Sequence, residues 1–277
     1  MASGDAGRGE RIFWAGGCTS CHARPKAEGD ARLELAGGLQ LKTPFGTFTA
    51  PNISSHPEDG IGSWSVDDFA NAMLRGVSPE GRHYYPSFPY TSYTRMEPQD
   101  VADLFAFMKT LPAVEGKTDG HELSFPYNLR RGIGLWKLAY MRQEPIISLP
   151  DNAPEAVRRG RYLVEVPGHC GECHTPRLFT GGPRLDQWLA GGRALEGEGT
   201  VPNITPHEDG LADWSETDIA YYLESGFTPD FDSVGGAMVA VQQNMAQLPD
   251  EDRQAIAAYL KAVPARANGY KRANGEQ

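Results

Sequence analysis

The chain lacks three features that would indicate other classes of protein: an excess of basic residues, a long apolar run, and cysteines outside one repeated motif. Its 26 lysines and arginines stand against 36 aspartates and glutamates, which gives a formal net charge of −10. This balance disfavours nucleic acid as a partner, because a phosphate backbone requires a cationic surface. No apolar run approaches the length of a membrane span, so the sequence predicts no transmembrane segment in this chain.

All four cysteines fall in two copies of one pentapeptide, Cys-x-x-Cys-His, at residues 18–22 and 170–174. In such a unit both thiols add to the vinyl groups of haem, and the adjacent histidine ligates the iron. Two units with no cysteine left over predict two covalently bound haem c groups. The predicted attachment and iron-binding residues are Cys18, Cys21, His22, Cys170, Cys173 and His174.

Two other uses of paired cysteines are weaker alternatives. A four-thiolate zinc site would have to bring together pairs from opposite halves of the chain. It would also leave unexplained the histidine that follows the second cysteine in both copies. A redox-active dithiol normally belongs to a βαβ pattern, which neither copy shows. The repeated histidine therefore favours haem.

The two haem motifs belong to a longer repeat. In each half the motif is followed, in the same order, by Ala-Gly-Gly, Pro-Asn-Ile, Asp-Gly and Trp-Ser. The tryptophan lies 42 residues after the haem histidine in the first half and 40 residues after it in the second. A single duplication explains this order. We predict a mainly α fold of two tandem cytochrome c domains, residues 1–115 and 154–277, each wrapped around one covalent haem.

Residues 116–153 form a predicted connecting segment between the domains. The segment contains Phe-Pro-Tyr at 125–127 and Leu-Trp-Lys-Leu at 135–138. These residues are too apolar for a free linker. We expect the segment to pack across both domains and to fix the geometry between the two haems.

Several stretches resemble one bacterial family. They are Thr43–Thr47, Asn52–Ser54, Gly60–Ser65, Tyr85–Tyr93, His169–Arg177 and Asn203–Thr205. With them the chain resembles the dihaem and trihaem cytochrome c subunits of periplasmic alcohol, aldehyde and sugar dehydrogenases. The resemblance covers nearly the whole chain, although no third haem motif is present.

The resemblance implies a carrier of single electrons and not an enzyme. Its expected partners are a dehydrogenase that donates electrons and a downstream acceptor. A dihaem peroxidase, or another haem enzyme with an iron site that can open, is the alternative. Covalent haem attachment implies a periplasmic location. Because residues 1–5 lack the basic and apolar regions of a signal peptide, we expect that signal to have been removed.

The sixth iron ligand is predicted to be methionine, which is common in electron-carrying c-type haems. Met96 lies just before the last helix of the first domain, where His83 is the reserve candidate. In the second domain Met238 and Met245 compete, and Met238 is favoured because it follows Gly-Gly-Ala in a way that resembles the ligand loop of the family. Aligning the last helices places Met96 opposite Leu248, so either the two ligand loops differ or Met96 is a packing residue.

Five further residues are predicted to bind the cofactor. The indoles of Trp64 and Trp214 can donate to haem propionates, although packing alone would also explain them. Asn52 and Asn203 can form hydrogen bonds near the ligand loop or serve only as turn residues. The guanidinium of Arg177 has the geometry to pair with a propionate.

Overall fold

A computed structural model describes residues 3–195 and 199–268, and the chain divides into two compact units, Met1–Gln143 and Glu144–Gln277. Helix accounts for 40% and strand for 8% of the fold, so the mainly α prediction is confirmed. The boundary between the units falls inside the predicted connecting segment 116–153. Each unit is described below by itself.

From residue 3 onward, the first unit contains six α-helices, one short 3-10 helix (Gly29–Glu34) and a small antiparallel sheet. Its helices are α1 (Ala6–Ala15), α2 (Cys18–His22), α3 (Val66–Arg75), α4 (Tyr90–Tyr93), α5 (Pro98–Met108) and α6 (Gly132–Tyr140). Its strands are β1 (Gln40–Thr43), β2 (Gly46–Thr49) and β3 (Glu122–Leu123), paired in that order. Helices α1 and α5 cross closely, and the haem motif on α2 follows directly after α1.

The second unit repeats this arrangement of helices. It contains α7 (Glu155–Glu165), α8 (Gly171–His174), α9 (Glu216–Ser225), α10 (Met238–Met245) and α11 (Asp250–Ala262). Strands β4 (Gly192–Arg193) and β5 (Thr200–Val201) form its short hairpin. Helices α7 and α11 pack together as α1 and α5 do. The haem motif lies on and just before α8.

The repeated Trp-Ser dipeptide starts an equivalent helix in each unit. Ser65 and Ser215 are the N-caps of α3 and α9, and each side chain accepts a hydrogen bond from the backbone N–H three residues later. The carboxylates of Asp68 and Asp218 in turn accept a hydrogen bond from the backbone N–H of the N-cap serine, which completes a capping box. The repeat is therefore explained partly by helix initiation.

The connecting segment is divided between the units. Strand β3 pairs with β2 of the first unit, and Ile133 of α6 packs with Phe48 and Tyr85. Farther along, the backbone N–H groups of residues 146 and 147 donate to the buried carboxylate of Glu165 in the second unit. That the segment fixes the geometry between the haems stays a prediction.

Lys137 joins α6 to the end of α3. Its Nζ lies 2.7 Å from the carbonyl oxygens of both Arg75 and Gly76, and 4.5 Å from the centre of the Tyr90 ring. Burial lowers the pKa of Lys137 to about 8. The side chain therefore supplies donors to carbonyls that the end of the helix leaves without intrahelical partners.

Lys137→Met is expected to lower the free energy of unfolding of the first unit by about 1–3 kcal/mol, because the Arg75 carbonyl loses its side-chain donor and the Gly76 carbonyl keeps only the N–H of Tyr84. Lys137→Gln should cost less, since Gln242 donates to carbonyls at the end of α9 in the second unit. Urea denaturation of the holoprotein, followed by circular dichroism, measures both variants. Equal stability of the methionine variant and the wild type would contradict this role.

Candidate functional site

The two haem-motif histidines are held in the same way by the chain. The Nδ1 atom of His22 lies 2.8 Å from the carbonyl oxygen of Pro51, and that of His174 lies 2.8 Å from the carbonyl oxygen of Pro202. A carbonyl can only accept, so each Nδ1 is the protonated nitrogen and donates. Each Nε2 then carries the lone pair that a metal ligand needs.

Burial lowers the pKa of both histidines, and the hydrogen bonds to Pro51 and Pro202 oppose it only in part. Both imidazoles are therefore neutral at neutral pH. Burial, followed by the charge of the neighbouring cysteine, raises the pKa of Cys18 and Cys170 to about 12. The donor set in each unit is thus a neutral imidazole beside two thiols, which fits covalent haem.

The repeated Ala-Gly-Gly segment holds the backbone of each haem-motif histidine in place. The N–H groups of Gly37 and Gly191 donate to the carbonyls of His22 and His174, both at 2.7 Å. Both glycines have a left-handed φ, +73° and +80°. A Cβ atom on Gly37 would lie 2.5 Å from the carbonyl oxygen of Ala50. Only glycine therefore fits these positions.

The repeated Pro-Asn-Ile segment holds the proline carbonyl in place. The Asn52 amide donates to the carbonyls of Val114 and Gly116 at 2.8 and 2.9 Å, and the Asn203 amide donates to Arg266 at 2.6 Å. Both asparagines are buried. They link the proline segment to the chain beyond the last helix, so their side chains help to position the histidines. Their contact with the cofactor stays a prediction.

The sequence analysis missed the roles of Pro51 and Pro202. Their signal was available, since each proline lies at nearly the same distance, 29 and 28 residues, after the haem histidine. The acceptor is a backbone carbonyl, however, which residue type does not reveal.

Trp64 and Trp214 lie immediately before the N-caps of α3 and α9. Trp214 is buried and its ring packs at 5.5 Å from that of Tyr222, whereas Trp64 is partly exposed. Lys261 of the last helix donates to the Trp214 carbonyl at 2.8 Å. Their hydrogen bonds to haem propionates stay a prediction.

Arg177 has a protein partner beside the haem motif. Its guanidinium lies 2.6 Å from the carboxylate of Glu172 and also donates to the backbone carbonyl of that residue. Because both side chains are largely buried, this ion pair is well shielded from water. Arg177 therefore fastens the chain after the haem motif to helix α8, and its contact with a haem propionate stays a prediction.

The structure aligns the two loops that precede the last helices. Tyr84 and Val234 donate to the carbonyls of the glycines that end α3 and α9, at 2.8 and 2.7 Å. Four residues later in each unit come Phe88 and Met238. At the other end of the loop, Met96 and Leu248 each lie one residue before the N-cap of the last helix, and both are buried.

Each unit therefore has one methionine at these two positions, in opposite order. The first unit has Phe88 and Met96, and the second has Met238 and Leu248. The loops also differ in length, because α10 has eight residues where α4 has four. Met96 and Leu248 thus occupy the same position in two different loops. In each loop, only one of the two aligned positions carries a sulfur atom.

The competing ligands have different surroundings. Met245 is buried at the end of α10, and its backbone carbonyl accepts from Leu248, as that of Tyr93 does from Met96. The choice of Met238 over Met245 stays a prediction. His83 accepts from Lys137 Nζ at its Nδ1 over 3.0 Å. When Lys137 is charged, this bond places the His83 proton on Nε2, which removes the lone pair that iron would need.

No cluster of three or more histidine, cysteine, aspartate or glutamate side chains suited to a metal ion occurs within residues 3–195 and 199–268.

Comparison with known proteins agrees with the geometry. The cytochrome c family model matches residues 6–112 and 157–264, one match in each unit. The chain belongs to the cytochrome c family. It is a dihaem protein, with two covalently bound haem c groups, and its relatives are electron-transfer subunits.

The relatives are bacterial cytochromes. A diheme cytochrome c-type protein of Cereibacter sphaeroides is 60% identical, over 95% of this chain and 87% of the relative. The fructose dehydrogenase cytochrome subunit of Gluconobacter japonicus is 34% identical, over 94% of this chain and 53% of the relative. The gluconate 2-dehydrogenase cytochrome c subunit of Pantoea cypripedii is 33% identical, over 94% of this chain and 59% of the relative. The resemblance seen in the sequence is confirmed.

Proposed function

We propose that this cytochrome takes single electrons from a dehydrogenase in the periplasm and passes them to a downstream acceptor, with no substrate chemistry of its own. The proposal rests on the hydrogen bonds of the two haem-motif histidines. Because Nδ1 of each donates to the carbonyl of Pro51 or Pro202, each Nε2 keeps the lone pair that a metal ligand needs. The names of the dehydrogenase subunits among its relatives supply the class of donor.

Met96 and Met238 complete the proposed ligand sets. When bound, haem supplies a one-electron redox couple, and the protein sets its ligation and burial. His22 and His174 would bind the haem iron through Nε2, and Met96 and Met238 would supply the thioether ligands, one in each unit. A carrier keeps both axial positions filled, whereas a peroxidase needs one that opens. No observation on the described residues favours such an opening.

Two observations bear on location. Covalent attachment of haem c takes place outside the bacterial cytoplasm, which supports the periplasm. Among the residues that the structure describes, no helix combines the length and the apolar character that crossing a membrane requires.

A periplasmic dehydrogenase supplied with its substrate is expected to reduce both haems of the ferric holoprotein. Anaerobic titration, followed by haem absorbance, should therefore count two electrons per chain. The matched variant Cys170→Ala with Cys173→Ala cannot attach the second haem and should accept one. Mass spectrometry of the denatured proteins should show two haems and one haem, respectively.

Two outcomes would contradict the proposal. The wild type could accept fewer than two electrons from every donor dehydrogenase tried. Alternatively, the isolated protein could consume hydrogen peroxide faster than it exchanges electrons, which would place it among haem enzymes.

A further inference from the structure

Nearly all of the net charge belongs to the second unit. Residues 1–143 contain 15 lysines and arginines against 16 aspartates and glutamates, so this half is almost neutral. Residues 144–277 contain 11 against 20. A basic molecule that approaches the protein is therefore attracted mainly to the second unit.

A hairpin with an apolar tip follows the second haem motif. An isolated bridge pairs Arg177 with Pro183, and the Arg177 guanidinium holds the hairpin against α8 through Glu172. At the tip, Leu178 is 41% and Phe179 is 92% exposed. The hairpin begins four residues after Cys173, the second attachment cysteine of this unit.

A second hairpin precedes the proposed ligand Met238 in the chain. It is closed by a bridge between Phe227 and Ser233, and its tip residue, Phe231, is 93% exposed. Phe231 has a φ of +62°, a left-handed conformation that bulky residues rarely adopt. An exposed aromatic ring in an unfavourable backbone conformation points to a use outside the fold.

The equivalent hairpin of the first unit is an internal control. A bridge between Val77 and His83 closes it, and Gly81 occupies the left-handed position with a φ of +77°. The next residue is Arg82, whose guanidinium lies 3.4 Å from the Glu80 carboxylate. At the corresponding positions the second unit has Phe231 and the exposed Asp232. The two hairpins therefore share their backbone and differ in tip and charge.

We propose that the second unit docks the downstream acceptor through these two tips, and that the acceptor is a small basic redox protein. The inference rests on the proposed function and assigns the exit of electrons to the second haem. The tips flank the haem attachment in the chain, one after His174 and one before Met238. Exposed rings beside Asp230 and Asp232 match a partner with an apolar centre and a basic rim, as transient redox encounters require.

A small basic class I cytochrome c is the probe for this surface. Its second-order rate of electron exchange with the reduced holoprotein is expected to fall about tenfold in Phe231→Gly, measured by stopped flow at low salt. Asp232→Arg should also slow exchange and flatten its dependence on salt. Phe231→Gly should keep the spectrum and potentials of both haems, and it should not lower the melting temperature because glycine favours the left-handed φ.

Two matched controls lie in the first unit. Glu80→Gln removes a charge from the equivalent hairpin, and Leu138→Ser removes an apolar side chain that is 84% exposed. Both should leave the rate unchanged. The proposal is overturned if Phe231→Gly exchanges as fast as the wild type, if either control slows exchange equally, or if a succinylated, acidic form of the probe reacts as fast. In each of these cases the wild type still transfers electrons, so the proposed function would stand.

Discussion

Met238→Phe is expected to abolish the near-infrared charge-transfer band that the second ferric haem owes to its thioether ligand. The substitution places in the second unit the residue that the first unit has at the same position, Phe88. Loss of the thioether should also lower the potential of that haem by on the order of 0.1 V, because thioether ligation raises the potential within the roughly 0.8 V that axial ligands span.

Met96→Leu is the reciprocal test on the first haem. Leucine is the residue at position 248, and exchange of methionine for leucine in a core usually costs less than about 1.5 kcal/mol. The variant should therefore keep its fold, lose the band of the first haem and lower its potential. Magnetic circular dichroism in the near infrared and spectroelectrochemical titration measure the two quantities.

Met245→Ala is the control in which a buried methionine is lost without loss of a ligand. It should cost about 2–4 kcal/mol of stability through the cavity that it leaves, with both charge-transfer bands intact. An unchanged spectrum and potential in Met96→Leu would show that Met96 only packs, as Leu248 does. A loss of the second band in Met245→Ala would transfer the ligand role from Met238.

The features that were predictable from the sequence are those encoded by local patterns. The haem motif fixes the attachment residues because the cofactor requires two thiols and an imidazole in one short stretch. The ordered repeat predicted two similar units, because each of its short motifs recurs in the same order in both halves.

The features that were not predictable depend on partners far along the chain. Asn52 donates to a carbonyl 62 residues away, and Lys137 reaches back by 62 and 61 residues. Side-chain type limits the possible partners, and the fold selects among them.

Gly9→Ala is expected to destabilise the first unit by about 3 kcal/mol or more, the upper part of the range for overpacking. A Cβ atom at Gly9 would lie 1.9 Å from the carbonyl oxygen of Asp103, where α1 crosses α5. Such a contact cannot be relieved by rotation of a side chain, so the two helices must separate. Since marginal stability is about 5–15 kcal/mol, this is a large fraction of the total.

Gly7→Ala supplies the matched control on the same helix. Gly7 is exposed, and the nearest atom to an added Cβ is a side-chain oxygen of Asp5 at 3.3 Å. Alanine there should be neutral or stabilising by up to about 1 kcal/mol, because it favours helix over glycine. Guanidinium denaturation followed by helical circular dichroism compares the two variants.

Gly160→Ala extends the test to the second unit, where the added Cβ would lie 1.8 Å from the carbonyl oxygen of Ala255. Helix α7 leads into the second haem motif as α1 leads into the first. Separation of the crossing helices should therefore also reduce haem loading of the affected unit, which the mass of the purified chain reports. If Gly9→Ala and Gly160→Ala were as stable and as fully loaded as Gly7→Ala, the close crossing could not be what holds each haem motif in position.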